Sequence, residues 1–195
     1  MKYNTIELAV PTPPEWVEAV LKDFDGFLQD HADGERKASS IAMSFVAKFP
    51  DRVEIIPVLI ETALEELEHF QQVYALMAAR GVKLRHSIGE DLYMKALIKL
   101  CHSGREERFL DRLLITSVVE TRGGERFKLV SEAIDDPDLK RFYKELWASE
   151  AKHGSIFVKM ALNYFPKKQV YDRLQWWIER EGEVMKSMEV RAAVH

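Results

Sequence analysis

Two short stretches carry the residues best suited to chemistry. Glu66-Leu67-Glu68-His69 and Glu150-Ala151-Lys152-His153 both read Glu-x-x-His. On a helix this spacing puts a carboxylate and an imidazole on one face, one turn apart, where both can grip one metal ion. Another glutamate stands upstream of each: Glu35 lies 31 residues before Glu66, and Glu120 lies 30 before Glu150. The three corresponding positions are offset by 85, 84 and 84 residues, so the set reads as an internal repeat. Four carboxylates and two imidazoles brought together form the ligand pattern of two-metal carboxylate proteins.

Spacing alone is weak support, because glutamate makes up 21 of the 195 residues and falls three before a histidine readily by chance. Helical phase strengthens it. Glu66 and His69 share a stripe with Leu59, Ala63, Phe70, Val73 and Met77, and Glu150 and His153 share one with Leu146, Ile156, Phe157 and Met160. Leu28, Ala32, Ala38 and Ala42 surround Glu35; Leu113, Ser117, Gly124 and Phe127 surround Glu120. An ordinary buried polar network is the competing reading. It would need cations, and no matching set of four Lys or Arg shares those stripes, whereas two divalent ions would balance four buried carboxylates. Carboxylate and imidazole ligation suits Fe, Mn or Zn, with iron leading.

The elements that must position these residues are helices. Strand patterns are nearly absent, and apolar residues recur at helical spacing. A short helix is predicted after Pro13-Pro14, then one over 24–49 ended by Pro50-Asp51, and one from near Arg52 to Arg80 that accepts Pro57 in its opening turns and stops at Gly81. A shorter helix is predicted over 90–101, a long one over 105–134 broken by Asp135-Asp136-Pro137, another over 137–164 ended by Pro166, and a last over 169–188. The four long helices form two hairpins joined by a long connection. That is the topology of an all-α, ferritin-like four-helix bundle with extra short and C-terminal helices, expected here as a single domain over 1–195.

Composition narrows the rest. The one cysteine, Cys101, supplies neither a disulfide framework nor a thiolate cluster, which fits a reducing cytoplasm. No apolar run approaches the roughly 20 residues of a spanning helix, so no membrane partner is expected. The net charge of −4 is uneven: residues 1–94 hold 9 Lys and Arg against 16 Asp and Glu, and the remainder is basic. Arg108, Arg112, Arg122 and Arg126 share a narrow arc of one helix, away from Glu120, where they could meet phosphates; a solvated face laced with Glu107, Asp111 and Glu125 is the plainer reading. His31, one turn before Glu35, could hold that carboxylate, although a partly buried polar role is the more ordinary one. Tyr143, Trp147, Trp176 and Trp177 read first as packing, and His86 and His102 fall in loops without an assigned role.

Four stretches also resemble a known family. Glu35-Arg-Lys-Ala-Ser-Ser40, Leu59-Ile-Glu-Thr-Ala-Leu-Glu-Glu-Leu-Glu-His-Phe70, Ser117-Val-Val-Glu-Thr-Arg-Gly-Gly-Glu-Arg-Phe127 and Leu146-Trp-Ala-Ser-Glu-Ala-Lys-His-Gly154 are similar to the bacterial tRNA 2-methylthio-isopentenyladenosine hydroxylases. The resemblance implies a non-haem di-iron monooxygenase that hydroxylates the isopentenyl side chain of 2-methylthio-N6-isopentenyladenosine next to the tRNA anticodon. It implies two Fe ions, O2 as co-substrate, an electron-donating reductase or ferredoxin, and tRNA as partner. A ferroxidase or iron-storage subunit would use the same six ligands and is the main alternative; a peroxide-reducing protein is another.

Overall fold

The computed structural model describes residues 6–86 and 90–194, and among them every regular element is a helix. In chain order these are α1 (Pro14–Lys22), α2 (Phe24–Lys48), α3 (Ile56–Ala79), α4 (Leu92–Lys99), α5 (Arg105–Ala133), α6 (Pro137–Ala161) and α7 (Lys167–Ser187). None of the described helices is long and apolar enough to cross a membrane.

Local chemistry accounts for the boundaries. Asp23 opens α2 by accepting the Gly26 N–H at 3.0 Å, and Asp91 opens α4 by accepting that of Met94 at 2.9 Å. Asp136 caps α6 by accepting from the backbone of both Asp138 and Leu139, with Pro137 in the first turn, where its missing N–H costs nothing. Beyond α3, Gly81 takes a φ of 72°, the left-handed conformation that suits glycine after a helix end. The largest difference from expectation is in α3, which begins at Ile56 rather than near Arg52. Pro57 explains this, because a helix running through it would drive its ring into the carbonyl four residues earlier. Residues 53–55 form turns instead.

The described residues group into two compact units. One comprises residues 18–86 and 191–194, the other 6–17 and 90–190. In the first unit α2 and α3 pack as a hairpin, tied by Ser39 Oγ donating to the Ala63 carbonyl at 2.8 Å. Its C-terminal segment returns to α2, where the Val194 N–H donates to Asp30 Oδ2 at 2.7 Å.

In the second unit α5 and α6 form the other long hairpin, and α7 packs on both α5 and α4. Two glycines set how closely α5 and α6 approach. A Cβ on Gly124 would lie 3.1 Å from the Cβ of Glu150, and one on Gly154 would lie 2.6 Å from Thr121 Oγ1. The two helices therefore approach closely beside Glu150 and His153.

Candidate metal centre

Each unit carries its own half of the predicted ligand set. In the α2–α3 hairpin, Glu35, Glu66 and His69 each offer a ligand atom within 4.8 Å of the others. All three are buried. His69 Nδ1 lies 3.4 Å from Glu66 Oε2 and 3.6 Å from Glu35 Oε2. His31 is also buried, and its Nε2 meets Glu35 Oε1 at 2.7 Å, so the histidine one turn upstream does hold this carboxylate.

The α5–α6 hairpin repeats the arrangement. Glu120, Glu150 and His153 offer ligand atoms within 4.8 Å of one another. Glu150 and His153 are buried and Glu120 half-buried. His153 Nδ1 lies 3.5 Å from Glu150 Oε2. Thr121 directs its hydroxyl back to the Ser117 carbonyl at 2.8 Å.

These separations fit a metal better than a salt bridge. A charge-assisted N–H···O bond closes to about 2.7–2.9 Å. Donors that share one ion at about 2.1 Å each lie roughly 3.0–3.5 Å apart for ordinary coordination angles, close to the imidazole–carboxylate distances in both halves. The donor chemistry, two carboxylates and one imidazole per half, is that of a borderline transition metal. Leaving such carboxylates buried and uncompensated would cost several kcal/mol each.

The four arginines expected on one arc divide. Arg108 is exposed and Arg112 half-buried, but Arg122 and Arg126 are buried, which corrects the expectation that they meet phosphates. Arg122 donates from Nε to Glu181 Oε1 at 2.8 Å, from Nη2 to Glu181 Oε2 at 2.9 Å and from Nη2 to the Val10 carbonyl at 2.7 Å, and it pairs with Glu125. Burial opposes its charge, and Glu181 and Glu125 more than offset that, so its pKa rises. Arg126 lies 4.9 Å over the Trp16 ring, and burial pulls its pKa down to about 10. Thr12 completes the network by donating its hydroxyl to Glu125 at 2.6 Å. The arc that a helical wheel leaves open is covered by the N-terminal segment and α7. Glu181 had no signal in its own neighbourhood, since its partner is 59 residues away.

His102, without a role in the sequence, is held by Asp111: its Nδ1 and backbone N–H lie 2.9 and 2.8 Å from Asp111 Oδ2. Tyr143 and Trp177 are core residues as expected. Trp176 is half-exposed and lines a cleft. Arg173, Trp176 and Arg180 share one helix face at spacings of three and four, a pattern legible in sequence that the packing reading of Trp176 passed over.

The helical hairpins place the protein in the all-α, ferritin-like class, and their repeated Glu and Glu-x-x-His residues form a candidate metal-ligand set. A solved Synechococcus structure, described as "Protein 43 with aldehyde deformylating oxygenase activity", shares this fold with a TM-score of 0.90 and 32% identity, over 96% of this chain and 93% of that one. The chain belongs to the tRNA-(MS[2]IO[6]A)-hydroxylase (MiaE) family, whose model matches residues 2–195. The tRNA 2-(methylsulfanyl)-N(6)-isopentenyladenosine(37) hydroxylase of Pseudomonas putida KT2440 is 34% identical over 188 residues, 96% of this chain and 91% of the relative. The Salmonella typhimurium LT2 protein of the same name is 29% identical over 123 residues, 63% of this chain and 44% of that protein.

Proposed function

We propose that this chain hydroxylates the isopentenyl side chain of 2-methylthio-N6-isopentenyladenosine in tRNA, next to the anticodon. The reading includes one ferritin-like domain over 1–195 that holds two iron ions through Glu35, Glu66, His69, Glu120, Glu150 and His153. The observation that carries it is the matched pair of half-sites, each with two carboxylates and one imidazole, in a chain that belongs to a tRNA hydroxylase family over nearly its whole length.

Bound iron would supply the O2 chemistry that side chains cannot perform, with O2 as co-substrate and electrons from an external reductase or ferredoxin. The chain's own residues hold and shape the site. Four carboxylates bring four negative charges, which two divalent cations neutralise. His69 and His153 would each give one nitrogen ligand. His31 fixes the direction of the Glu35 carboxylate, and Gly124 lets the Glu150 backbone come close to α5. The apolar neighbours Leu113, Phe127 and Leu146 keep water from the buried ligands. The prenylated base must leave the anticodon-loop stack to reach residues this deeply placed, as other base-directed enzymes require. A tRNA substrate puts the protein in the cytoplasm.

The test is nucleoside analysis of tRNA incubated with reduced, iron-loaded protein and O2. The hydroxylated nucleoside is the expected product. An unchanged prenylated nucleoside, under conditions where an established hydroxylase converts it, overturns the reading; iron uptake and oxidation without any change in tRNA would then favour ferroxidase or storage activity.

A further inference from the structure

Arg108 and Arg112 stand in the first turns of α5, beside Glu106 and Glu107, and Arg173 and Arg180 stand on α7, all within the second unit. Arg108 is exposed, and its Nη1 donates to the His102 carbonyl at 3.3 Å. Arg112 follows one turn later and is half-buried. Among the described residues neither guanidinium has a carboxylate partner. Burial, together with the like charge of Arg108, pulls the Arg112 pKa down, and the attraction of an anion placed there would offset both.

The neighbouring α7 residues are held rigidly. Asp111, wholly buried, receives Arg173 Nε at 2.6 Å and Nη2 at 3.1 Å, the Trp177 indole N–H at 3.0 Å and the His102 backbone N–H at 2.8 Å. Arg173 Nη2 reaches 3.3 Å from His102 Nδ1, and its guanidinium lies 3.8 Å over the Trp176 ring. Trp176 lines a cleft of about 600 Å³ with Pro166, Lys168, Gln169, Asp172 and Arg173. The Asp172 carboxylate is engaged by Lys168 at 2.6 Å. Arg108, His102, Arg173 and Trp176 thus form a continuous run of contacts from unpaired cations to an aromatic-lined cleft. A positive groove beside an aromatic ring is the arrangement that binds single-stranded nucleic acid: cations track the phosphates and the ring takes a base or sugar. The placement also suits the ligands, since Arg112 stands eight residues before Glu120 on the same helix, about 12 Å along its axis.

The geometry points to an RNA docking site on this face, in which Arg108 and Arg112 take backbone phosphates of the tRNA anticodon loop and the Trp176 cleft takes a base or ribose of the same strand. This rests on the tRNA reading and supplies the surface that reading lacked once Arg122 and Arg126 proved to be buried.

The probe is a fluorescein-labelled synthetic anticodon stem-loop RNA, titrated by anisotropy with full-length, iron-loaded protein at several salt concentrations. Arg108→Glu/Arg112→Glu should weaken binding at least about tenfold and lower the slope of log Kd against log salt by roughly two. Arg108→Lys/Arg112→Lys should restore most of the slope. Trp176→Ala should weaken binding about fivefold or more without changing the slope, because stacking is not ionic. Iron content and helical circular dichroism confirm that each variant folds. If the double charge reversal binds with unchanged Kd and salt slope while the wild type binds and hydroxylates tRNA, the docking site is wrong and the function stands. If the wild type neither binds nor hydroxylates tRNA, both fall.

Discussion

Arg122 and Glu181 meet through two parallel hydrogen bonds, at 2.8 and 2.9 Å, with both side chains wholly buried. Tyr93 adds its hydroxyl to Glu181 Oε1 at 3.1 Å, and the Val10 carbonyl accepts from Arg122 Nη2 at 2.7 Å. The pair therefore binds α4, α5, α7 and the N-terminal segment within one unit. Removing one partner leaves a buried charge without its counter-ion, which costs about 3–5 kcal/mol, whereas replacing both with apolar groups is often neutral. Arg122→Met and Glu181→Leu should each destabilise the protein by that amount, and the double variant should recover most of the loss. Urea unfolding checks this; a double variant as unstable as the sum of the singles would contradict it.

His69→Ala and His153→Ala each remove the imidazole that a half-site offers as a candidate ligand. Both should lower bound iron and abolish turnover, read by metal analysis of protein reconstituted anaerobically and by nucleoside analysis. Full iron occupancy in both variants would refute the six-ligand assignment.

His31 holds one oxygen of Glu35 at 2.7 Å from a buried position, so its effect on metal binding should pass through that carboxylate. Partners of this kind typically contribute 10–100-fold in metal affinity. His31→Phe keeps a ring in the core and loses the bond, and should weaken iron binding within that range, measured by competition with a chelator. Wild-type affinity would show that Glu35 is placed without it.

The helix glycines should separate in sign. Gly34, inside α2, has nothing within 4 Å of a built Cβ, so Gly34→Ala should stabilise by up to about 1 kcal/mol through helix propensity. A Cβ at Gly154 would meet Thr121 Oγ1 at 2.6 Å, and Thr121 is itself bonded to the Ser117 carbonyl. Gly154→Ala should therefore destabilise, by about 1–3 kcal/mol for an overpacked contact. Chemical denaturation decides both, and a stabilising Gly154→Ala would mean that α5 and α6 have room to separate.

Asp111 gives a pH signature. Burial pushes its carboxyl up, but Arg173, the His102 N–H and the Trp177 N–H together hold it below the ordinary aspartate range. A folded-state pKa below the unfolded one contributes stability that is present above the unfolded value and lost as pH falls through the folded one. The wild type should exceed Asp111→Asn in stability at neutral pH, and the gap should shrink once pH drops below about 4. Unfolding free energies across that range test it; a gap independent of pH would show that the charge of Asp111 contributes nothing.

Much of this was legible in sequence because it depends on short-range rules. Pro50, Gly81, Asp136-Pro137 and Pro166 stop or start helices through dihedral limits and local hydrogen bonds, so the boundaries of α2, α5 and α6 fell within a few residues of expectation. The start of α3 was the exception: Pro57 stands in the opening turn as expected, but the helix begins at Ile56 rather than near Arg52. The Glu-x-x-His pairs and their upstream glutamates were readable because a helix converts spacing into a shared face.

The arginines mark where that reading ended. One helical wheel placed Arg108, Arg112, Arg122 and Arg126 together, yet the last two are buried ion-pair and aromatic partners while the first two stay at or near the surface. A wheel gives the direction of a side chain but not what packs against it. By itself the sequence determined the helices and the repeat, and it nominated six candidate metal ligands. Only the tertiary structure decided which cations are spent inside and which meet solvent, because burying a charge depends on a partner such as Glu181, far along the chain, brought close by packing.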